Sequence, residues 1–184
     1  MRRKNAVKLW LLAAMSVGAG LSNSTAAAQG TDVVVSTETK GTDQAFSYEI
    51  TTSASPGRVW TLWTDVSTWK TWDKGLKDAE LNQPMRHGSK GKIIPLAGPP
   101  ASFTVTQFDP NTSYTFVTDL PRAKLTVRRT IIGTLPTRFR HEVSFSGAMA
   151  AAFAQQLGPG FRKALPPTMR EVAAIAERGI RRAQ

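Results

Sequence analysis

The chain has 184 residues, of which 41% are hydrophobic and 20% charged, and it contains no cysteine. These proportions are typical of one soluble globular domain and exclude a collagenous, disulfide-stapled or wholly disordered protein. The formal net charge is +11, and four of these charges lie in residues 1–28, which leaves +7 on the other 156 residues. With no thiol and two histidines, the sequence predicts no metal site and no cofactor.

The N-terminal residues have the pattern of a secretory signal. Four basic residues in positions 1–8 precede a thirteen-residue apolar run from Leu9 to Leu21, and three alanines end at Ala28. A permanent membrane helix needs about 20 apolar residues, which makes this run short for an anchor. We therefore predict a signal peptide over 1–28, cleavage after Ala28 and a periplasmic or secreted protein, with an uncleaved anchor as the alternative.

The next segment is polar, and the folded domain is predicted to follow it. Residues 29–44 are mostly Thr, Ser, Gly, Asp and Lys around one cluster of valines, so they are interpreted as a flexible linker. From Ala45, apolar and polar residues alternate as in a half-buried strand. Ser55 and Pro56 then give a helix start signal, and a second helical turn is predicted over Ser67 to Trp72. The domain is predicted to span 45–184.

Antiparallel strands are predicted through the middle of the chain. Turn residues such as Asp109, Pro110 and Asn111 separate short segments with period-two alternation. The predicted strands lie near Ala79–Leu81, Lys90–Ile94, Ser102–Phe108, Tyr114–Thr118, Lys124–Ile132 and Phe139–Phe145.

The C-terminal part changes to helical period. Residues 148–157 are predicted as a first helix that Gly158-Pro159-Gly160 breaks, and a longer amphipathic helix follows. Pro166 and Pro167 either form its first turn or kink a longer element. Its apolar face is formed by Leu165, Met169, Val172, Ala173, Ala176 and Ile180.

Particular residues in this order of elements carry a family resemblance. They are Ala54-Ser55-Pro56, Val59-Trp60, Leu62-Trp63, Asp65-Val66, Trp69, Trp72-Asp73, Gly88, Gly133-Thr134 and the tail from Leu165-Pro166-Pro167 to Glu177. The stretch from Ser47 to Glu177 resembles the START-like helix-grip superfamily (SRPBCC), in its polyketide cyclase/dehydrase branch.

The resemblance implies an α+β helix-grip fold. A curved seven-stranded antiparallel sheet would wrap around the long C-terminal helix, with two short helices after the first strand. It also implies an apolar cavity between sheet and helix, where family members hold lipids, sterols, polyketides or other hydrophobic molecules. The chain is thus predicted to be an exported binding protein for a hydrophobic small molecule. The alternatives are a cyclase, dehydratase or isomerase, and a non-catalytic interaction module whose cavity is filled.

His141 is the candidate catalytic residue. It shares the inward face of its strand with Phe139 and Val143, and an imidazole that titrates near neutrality can act as an acid or base. The alternative is a packed histidine bonded to a backbone carbonyl. Phe139 on this face and Met169 on the apolar face of the helix are predicted to contact the ligand.

Arg129 and Trp72 are the other candidate ligand-binding residues. Arg129 and Arg128 are adjacent, so alternation directs one of them inward, and Arg129 shares its face with apolar residues. An inward guanidinium can hold a carboxylate or phosphate head group. The alternative is a structural ion pair with one acidic residue: Asp73, Asp119 or Glu49. Trp72 is predicted at the cavity entrance.

The C-terminal segment is strongly basic. Its cations are Arg162, Lys163, Arg170, Arg178, Arg181 and Arg182. Such a face can contact an anionic membrane surface, although a basic run of this kind is more often only a solvated helix face. Export and the absence of a recognisable motif argue against nucleic acid as a partner. No sequence feature specifies the oligomeric state.

Overall fold

The computed structural model describes the backbone of residues 35–181 and the side chains of residues 41–178. One eight-stranded antiparallel sheet has the strand order β1-β2-β8-β7-β6-β5-β4-β3. The strands are β1 (Val35–Thr42), β2 (Ala45–Thr52), β3 (Leu76–Leu81), β4 (Lys90–Pro95), β5 (Ala101–Asp109), β6 (Ser113–Leu120), β7 (Ala123–Thr134) and β8 (Thr137–Ser146). The helices are α1 (Pro56–Thr64), α2 (Trp69–Trp72) and α3 (Ala150–Arg181), with a 3₁₀ turn at Val66–Thr68.

The eighth strand corrects the predicted strand count of seven. Strand β1 lies within the predicted polar linker of residues 29–44 and pairs with β2, so this part of the linker is ordered as an edge strand. Its polar composition did not prevent pairing because an edge strand has one solvated side and needs little apolar area. The predicted signal peptide and its cleavage site lie outside the described residues.

The other predicted strands are confirmed, each extended by one to three residues at one or both ends. Between β5 and β6, Asn111 has a φ of 60°, a left-handed conformation that asparagine tolerates in turns. Register irregularities in β5 and β7 mark bulges, which bend strands and so help the sheet to curve. Position 91 of β4 requires glycine because the ring of Phe103 packs directly against it, and a Cβ there would lie 2.2 Å from Cζ of Phe103.

The first short helix begins at the predicted position, and the second ends at the predicted residue, Trp72. Pro56 occupies the first helical position of α1, as predicted, but the hydroxyl of Ser55 makes no capping hydrogen bond. Instead, the carbonyl of Ser55 accepts from the amides of Arg58 and Val59. Helix α2 places Trp69 and Trp72 in the core.

The C-terminal segment is one helix rather than the predicted two. Helix α3 has 32 residues and continues through Gly158-Pro159-Gly160, with Pro166 and Pro167 also inside it. Tertiary packing outweighs these unfavourable residues, because α3 covers β2, β7 and β8 with its predicted apolar face. Of that face, Ile180 lies beyond the described side chains. No helix within residues 35–181 has the length and hydropathy needed to cross a membrane.

Side-chain bonds fix the C-terminal half of α3. Glu177 accepts hydrogen bonds from Oγ1 of Thr52 (2.6 Å) and from the amide of Ser53 (3.1 Å). Arg58 of α1 donates to the carbonyl of Ala176 at 3.0 Å. These contacts hold the end of α3 against β2 and α1.

Candidate functional site

Four residues on the face of the sheet beneath α3 form a row across neighbouring strands, which we call the polar row. Tyr48 of β2 lies opposite His141 of β8, His141 opposite Arg129 of β7, and Arg129 opposite Tyr114 of β6. All four side chains are buried. Directly opposed residues in antiparallel strands have Cβ atoms about 4.5–5.5 Å apart, so each member of the row lies beside the next.

Apolar rows lie on both sides of the polar row. On one side, register aligns Phe46, Val143, Val127 and Phe116, and on the other it aligns Ile50, Phe139 and Ile131. The polar row therefore crosses an otherwise hydrophobic surface. A charge in such surroundings is costly unless something compensates it.

The Arg129 guanidinium lies in a cage of aromatic rings. Its Cζ is 4.6 Å from the ring centroid of Trp69, 4.9 Å from that of Trp72, 5.7 Å from that of Tyr114 and 5.8 Å from that of Phe116. Cation–π attraction of this kind is worth about 0.5–2 kcal/mol, which offsets only part of the desolvation of a buried cation.

Hydrogen bonds connect this cage to α1. Nη1 of Arg129 donates to the hydroxyl of Tyr114, which donates to the carbonyl of Trp63 at 3.0 Å. The same carbonyl accepts from Nε1 of Trp69 at 3.0 Å. Trp63 also packs edge-on against Phe139, with ring centroids 5.3 Å apart. The end of α1 is thus positioned by the residues that surround Arg129.

Two nitrogen donors in this cage lack acceptors. Nε of Arg129 and Nε1 of Trp72 are both buried and have no hydrogen-bond partner among the described residues. Arg129 is 3% exposed and Trp72 is 1% exposed, so bulk water does not reach them either. Buried donors are normally satisfied, so each of these two exceptions requires an explanation.

Among the described residues, none of the three acidic residues proposed as structural partners forms an ion pair with Arg129. Asp119 pairs with Lys124 at 2.7 Å on the surface, and Glu49 pairs with Arg140 through Nε and Oε1 at 2.7 Å. Asp73 interacts with Arg129 only through its charge. Burial raises the pKa of the Asp73 carboxyl, against the opposing effects of the Gly75 amide and the Arg129 charge.

The environment of His141 keeps its imidazole neutral. Burial and the positive charge of Arg129 both hold the pKa of His141 well below the usual 6.5. The prediction that this group titrates near neutrality is therefore wrong, because both effects act in the same direction. A neutral imidazole can accept a proton but is a poor proton donor at pH 7.

The structure brings the five predicted site residues into one buried core, without testing their roles. Arg129, His141 and Trp72 lie together around the polar row, and Phe139 and Met169 belong to the same hydrophobic cluster. Sequence reasoning missed Tyr114 and grouped Trp69 with the tryptophans that could line a cavity mouth, without placing it beside Arg129. The alternation of β6 directs Tyr114 inward and could have identified it, whereas the bonds to the Trp63 carbonyl require coordinates.

The described pockets lie on the other face of the sheet. One, of about 350 Å³, is lined by outward side chains of the central strands, among them Gln107, Thr115, Arg128 and Glu142. The other, of about 450 Å³, lies along β3, β4 and β5. Beneath α3, buried hydrophobic side chains of the sheet and the helix pack into one cluster. No group of three metal-ligating side chains converges within residues 41–178.

Comparison with known proteins identifies the class and then the family. Zhui aromatase/cyclase from Streptomyces sp. R1128 is similar in fold, with a TM-score of 0.62, 16% identity, and coverage of 76% of this chain and 97% of that one. Protein Ms6760 from Mycobacterium smegmatis has a TM-score of 0.59 at 16% identity, covering 79% of this chain and 99% of its own. These likenesses show a helix-grip fold.

Residues 43–179 match the model of the family described as polyketide cyclase/dehydrase and lipid transport, so the chain belongs to that family. This confirms the resemblance found in the sequence. No curated protein sequence matches the chain significantly. Family and fold together indicate a hydrophobic ligand-binding or cyclase-like protein.

Proposed function

We propose that the protein binds a hydrophobic small molecule between the sheet and α3, and that it does so as a carrier. The observation that carries this proposal is the covering of the apolar layer by one long helix with three internal prolines. Proline lacks an amide hydrogen, so Pro159, Pro166 and Pro167 remove three hydrogen bonds from the middle of α3. The covering helix is thus weakest over the layer that a guest must enter.

Entry of a guest requires α3 and the side chains beneath it to move apart. The end of α3 is fixed by Glu177 and by Arg58, as described above. Its preceding turns contain Pro166 and Pro167, so movement of the helix is expected before this fixed end. A cryptic site of this kind opens when the ligand stabilises the open arrangement.

The hydrophobic free energy gained by burying a guest is sufficient for measurable binding. Burial of ten methylene groups at about 0.8 kcal/mol each contributes roughly 8 kcal/mol before the cost of immobilising the guest and moving side chains. We therefore expect dissociation constants in the micromolar to sub-millimolar range.

Isothermal titration of the purified chain with dodecanol, a neutral guest, tests the proposal. We expect saturable binding of one guest, and tighter binding by Met169→Ala, because the guest can fill the apolar space that this truncation leaves. Arg170→Ala, at an exposed neighbouring position of α3, is the matched control and should bind as the natural protein does. A natural protein that shows no saturable binding overturns the carrier proposal and favours the filled, non-catalytic module.

A cyclase-like activity is the second candidate, and the position of His141 beside Arg129 favours it. In this role His141 acts as a base, with Arg129 stabilising the negative charge that proton removal creates. Turnover should then fall only under acidic conditions, since the pKa of His141 lies well below 6.5. A pH–rate profile with its midpoint near neutrality, or activity retained in His141→Phe, contradicts this assignment.

We further propose export to the periplasm or the medium. The basic residues, the thirteen-residue apolar run and the alanines before Gln29 support it. Expression in a Gram-negative host, followed by fractionation and N-terminal sequencing, should find a mature chain that begins at Gln29. Recovery of the uncleaved chain in the membrane fraction contradicts cleavage and favours an anchor.

Contact with an anionic membrane surface is proposed for the exposed cations of α3. Lys163 and Arg170 are exposed, while Arg162 stacks on Phe46 at 4.1 Å and Arg178 pairs with Glu171 at 3.3 Å. Flotation with phosphatidylglycerol vesicles should retain the natural protein and release the Lys163→Glu, Arg170→Glu variant. Equal flotation with neutral vesicles contradicts an electrostatic contact.

A further inference from the structure

We propose that the hydrophobic guest is an acid, and that its anionic head group is bound by Arg129 together with Nε1 of Trp72. This inference rests on the proposed function and specifies the chemical class of the ligand. The shared chemistry is a single anionic head group, carboxylate or phosphate, on an apolar chain.

The first argument is the unbalanced charge. Arg129 is 3% exposed, and no described carboxylate forms an ion pair with it. A buried cation without a paired anion costs several kcal/mol even after the protein relaxes. The surrounding rings offset only part of that cost. An anion delivered by the ligand would restore the balance and would gain affinity from doing so.

The second argument is the pair of unused donors. Nε of Arg129 and Nε1 of Trp72 are buried without acceptors, and the Cζ of Arg129 lies 4.9 Å from the Trp72 ring. The two groups come from β7 and α2, so the tertiary fold brings them together. An acid head group has the acceptor atoms that both donors lack, and charge-assisted bonds to it are the stronger kind.

The third argument is the placement of Asp73. It follows Trp72 directly, is partly exposed, and senses the Arg129 charge without bonding to it. Its negative charge therefore opposes the binding of a second anion at Arg129. Removal of this carboxylate should strengthen acid binding, because it removes the repulsion between Asp73 and an anion bound at Arg129.

The experiment compares dodecanoate, dodecyl phosphate and dodecanol by isothermal titration at pH 7.5. We expect at least one of the two anions to bind about tenfold or more tightly than the alcohol. Whichever anion binds better identifies the head group. Arg129→Met should abolish the preference while retaining dodecanol binding, and Arg128→Met, on the opposite face of the same strand, should leave it unchanged. Asp73→Asn should increase the preference.

The outcomes separate this inference from the proposed function. Equal binding of all three molecules overturns the acid inference and leaves the carrier intact, while binding of none overturns the carrier. If Arg129→Met does not fold, the comparison of acid with alcohol and the Asp73→Asn variant still decide. A preference for acid that persists in Arg129→Met also overturns the inference.

Discussion

Arg128 and Arg129 are neighbours in the chain but lie on opposite faces of the sheet. Arg128 is exposed and stands opposite Glu142 in register, on a face where Arg140 also pairs with Glu49. Arg129 is buried among aromatic rings without a paired carboxylate. On the outer face, acids and water compensate the cations. The inner face keeps a cation that is only partly compensated, by aromatic rings, the Tyr114 hydroxyl and the charge of Asp73, which indicates that stability alone did not select it.

The largest expected difference between the faces is in packing. Phe139 is fully buried, so Phe139→Ala should lower the free energy of unfolding by about 3–5 kcal/mol. Its exposed neighbour Arg138 is the matched control, and Arg138→Ala should change this free energy by less than about 0.5 kcal/mol. Urea denaturation of both variants measures the difference. Similar losses would contradict the assignment of the two faces.

Replacement of the two arginines tests whether Arg129 is structural. Arg129→Met removes a buried charge and keeps an apolar side chain, so the free energy of unfolding should stay unchanged or rise by about 1–3 kcal/mol. Arg128→Met should be neutral. Thermal and urea unfolding measure both. A loss of about 3 kcal/mol or more in Arg129→Met would instead identify a structural ion pair.

The buried histidine should make stability depend on pH. The folded-state pKa of His141 lies well below its unfolded value near 6.5, so the unfolded chain binds the proton first as the pH falls. Stability is therefore full above that pH and declines below it, by up to about 1.4 kcal/mol per pH unit. His141→Gln should remove this contribution, whereas the exposed control His87→Gln should retain it. Equal slopes in the two variants would contradict a buried neutral His141.

The smallest expected effect concerns the hydroxyl of Tyr114. Tyr114→Phe removes one acceptor from Arg129 and one donor to Trp63, which should cost about 1–2 kcal/mol. On the outer face, Thr115→Val removes a bond to Gln107, whose exposed amide can bond to water, so it should cost less. Equilibrium unfolding of the two variants compares them. If Thr115→Val lowers the free energy of unfolding more than Tyr114→Phe does, the hydrogen bonds of the polar row do not stabilise the fold more than those of the outer face.

Period and turn chemistry were sufficient to predict much of the fold from the sequence. Strict alternation identified seven strands and assigned Arg129 and His141 to the inner face, because a side-chain period of two fixes the face once the register is set. The continuity of α3 was not predictable, since local propensity breaks a helix at Gly158 and Pro159 while packing on the sheet restores it. Strand β1 was missed because its stability comes from pairing with β2 rather than from its own composition.

The candidate site could be predicted from the sequence only in part. Alternation assigns a direction to one side chain, but the ring cage and the shared carbonyl of Trp63 depend on where α1 and α2 lie against β6 and β7. The low pKa of His141 depends on a cross-strand neighbour that only the register reveals.

Binding of a guest beneath α3 is tested most directly by nuclear magnetic resonance. Titration of the labelled chain with dodecanol should shift the indole N–H signals of Trp63, Trp69 and Trp72 saturably and leave the side-chain amide of Gln107 in place. Gln107 lines the groove on the outer face, which makes it the reporter for binding elsewhere. Shifts confined to Gln107, or indole signals that do not move at saturating guest, would contradict a binding site between the sheet and α3.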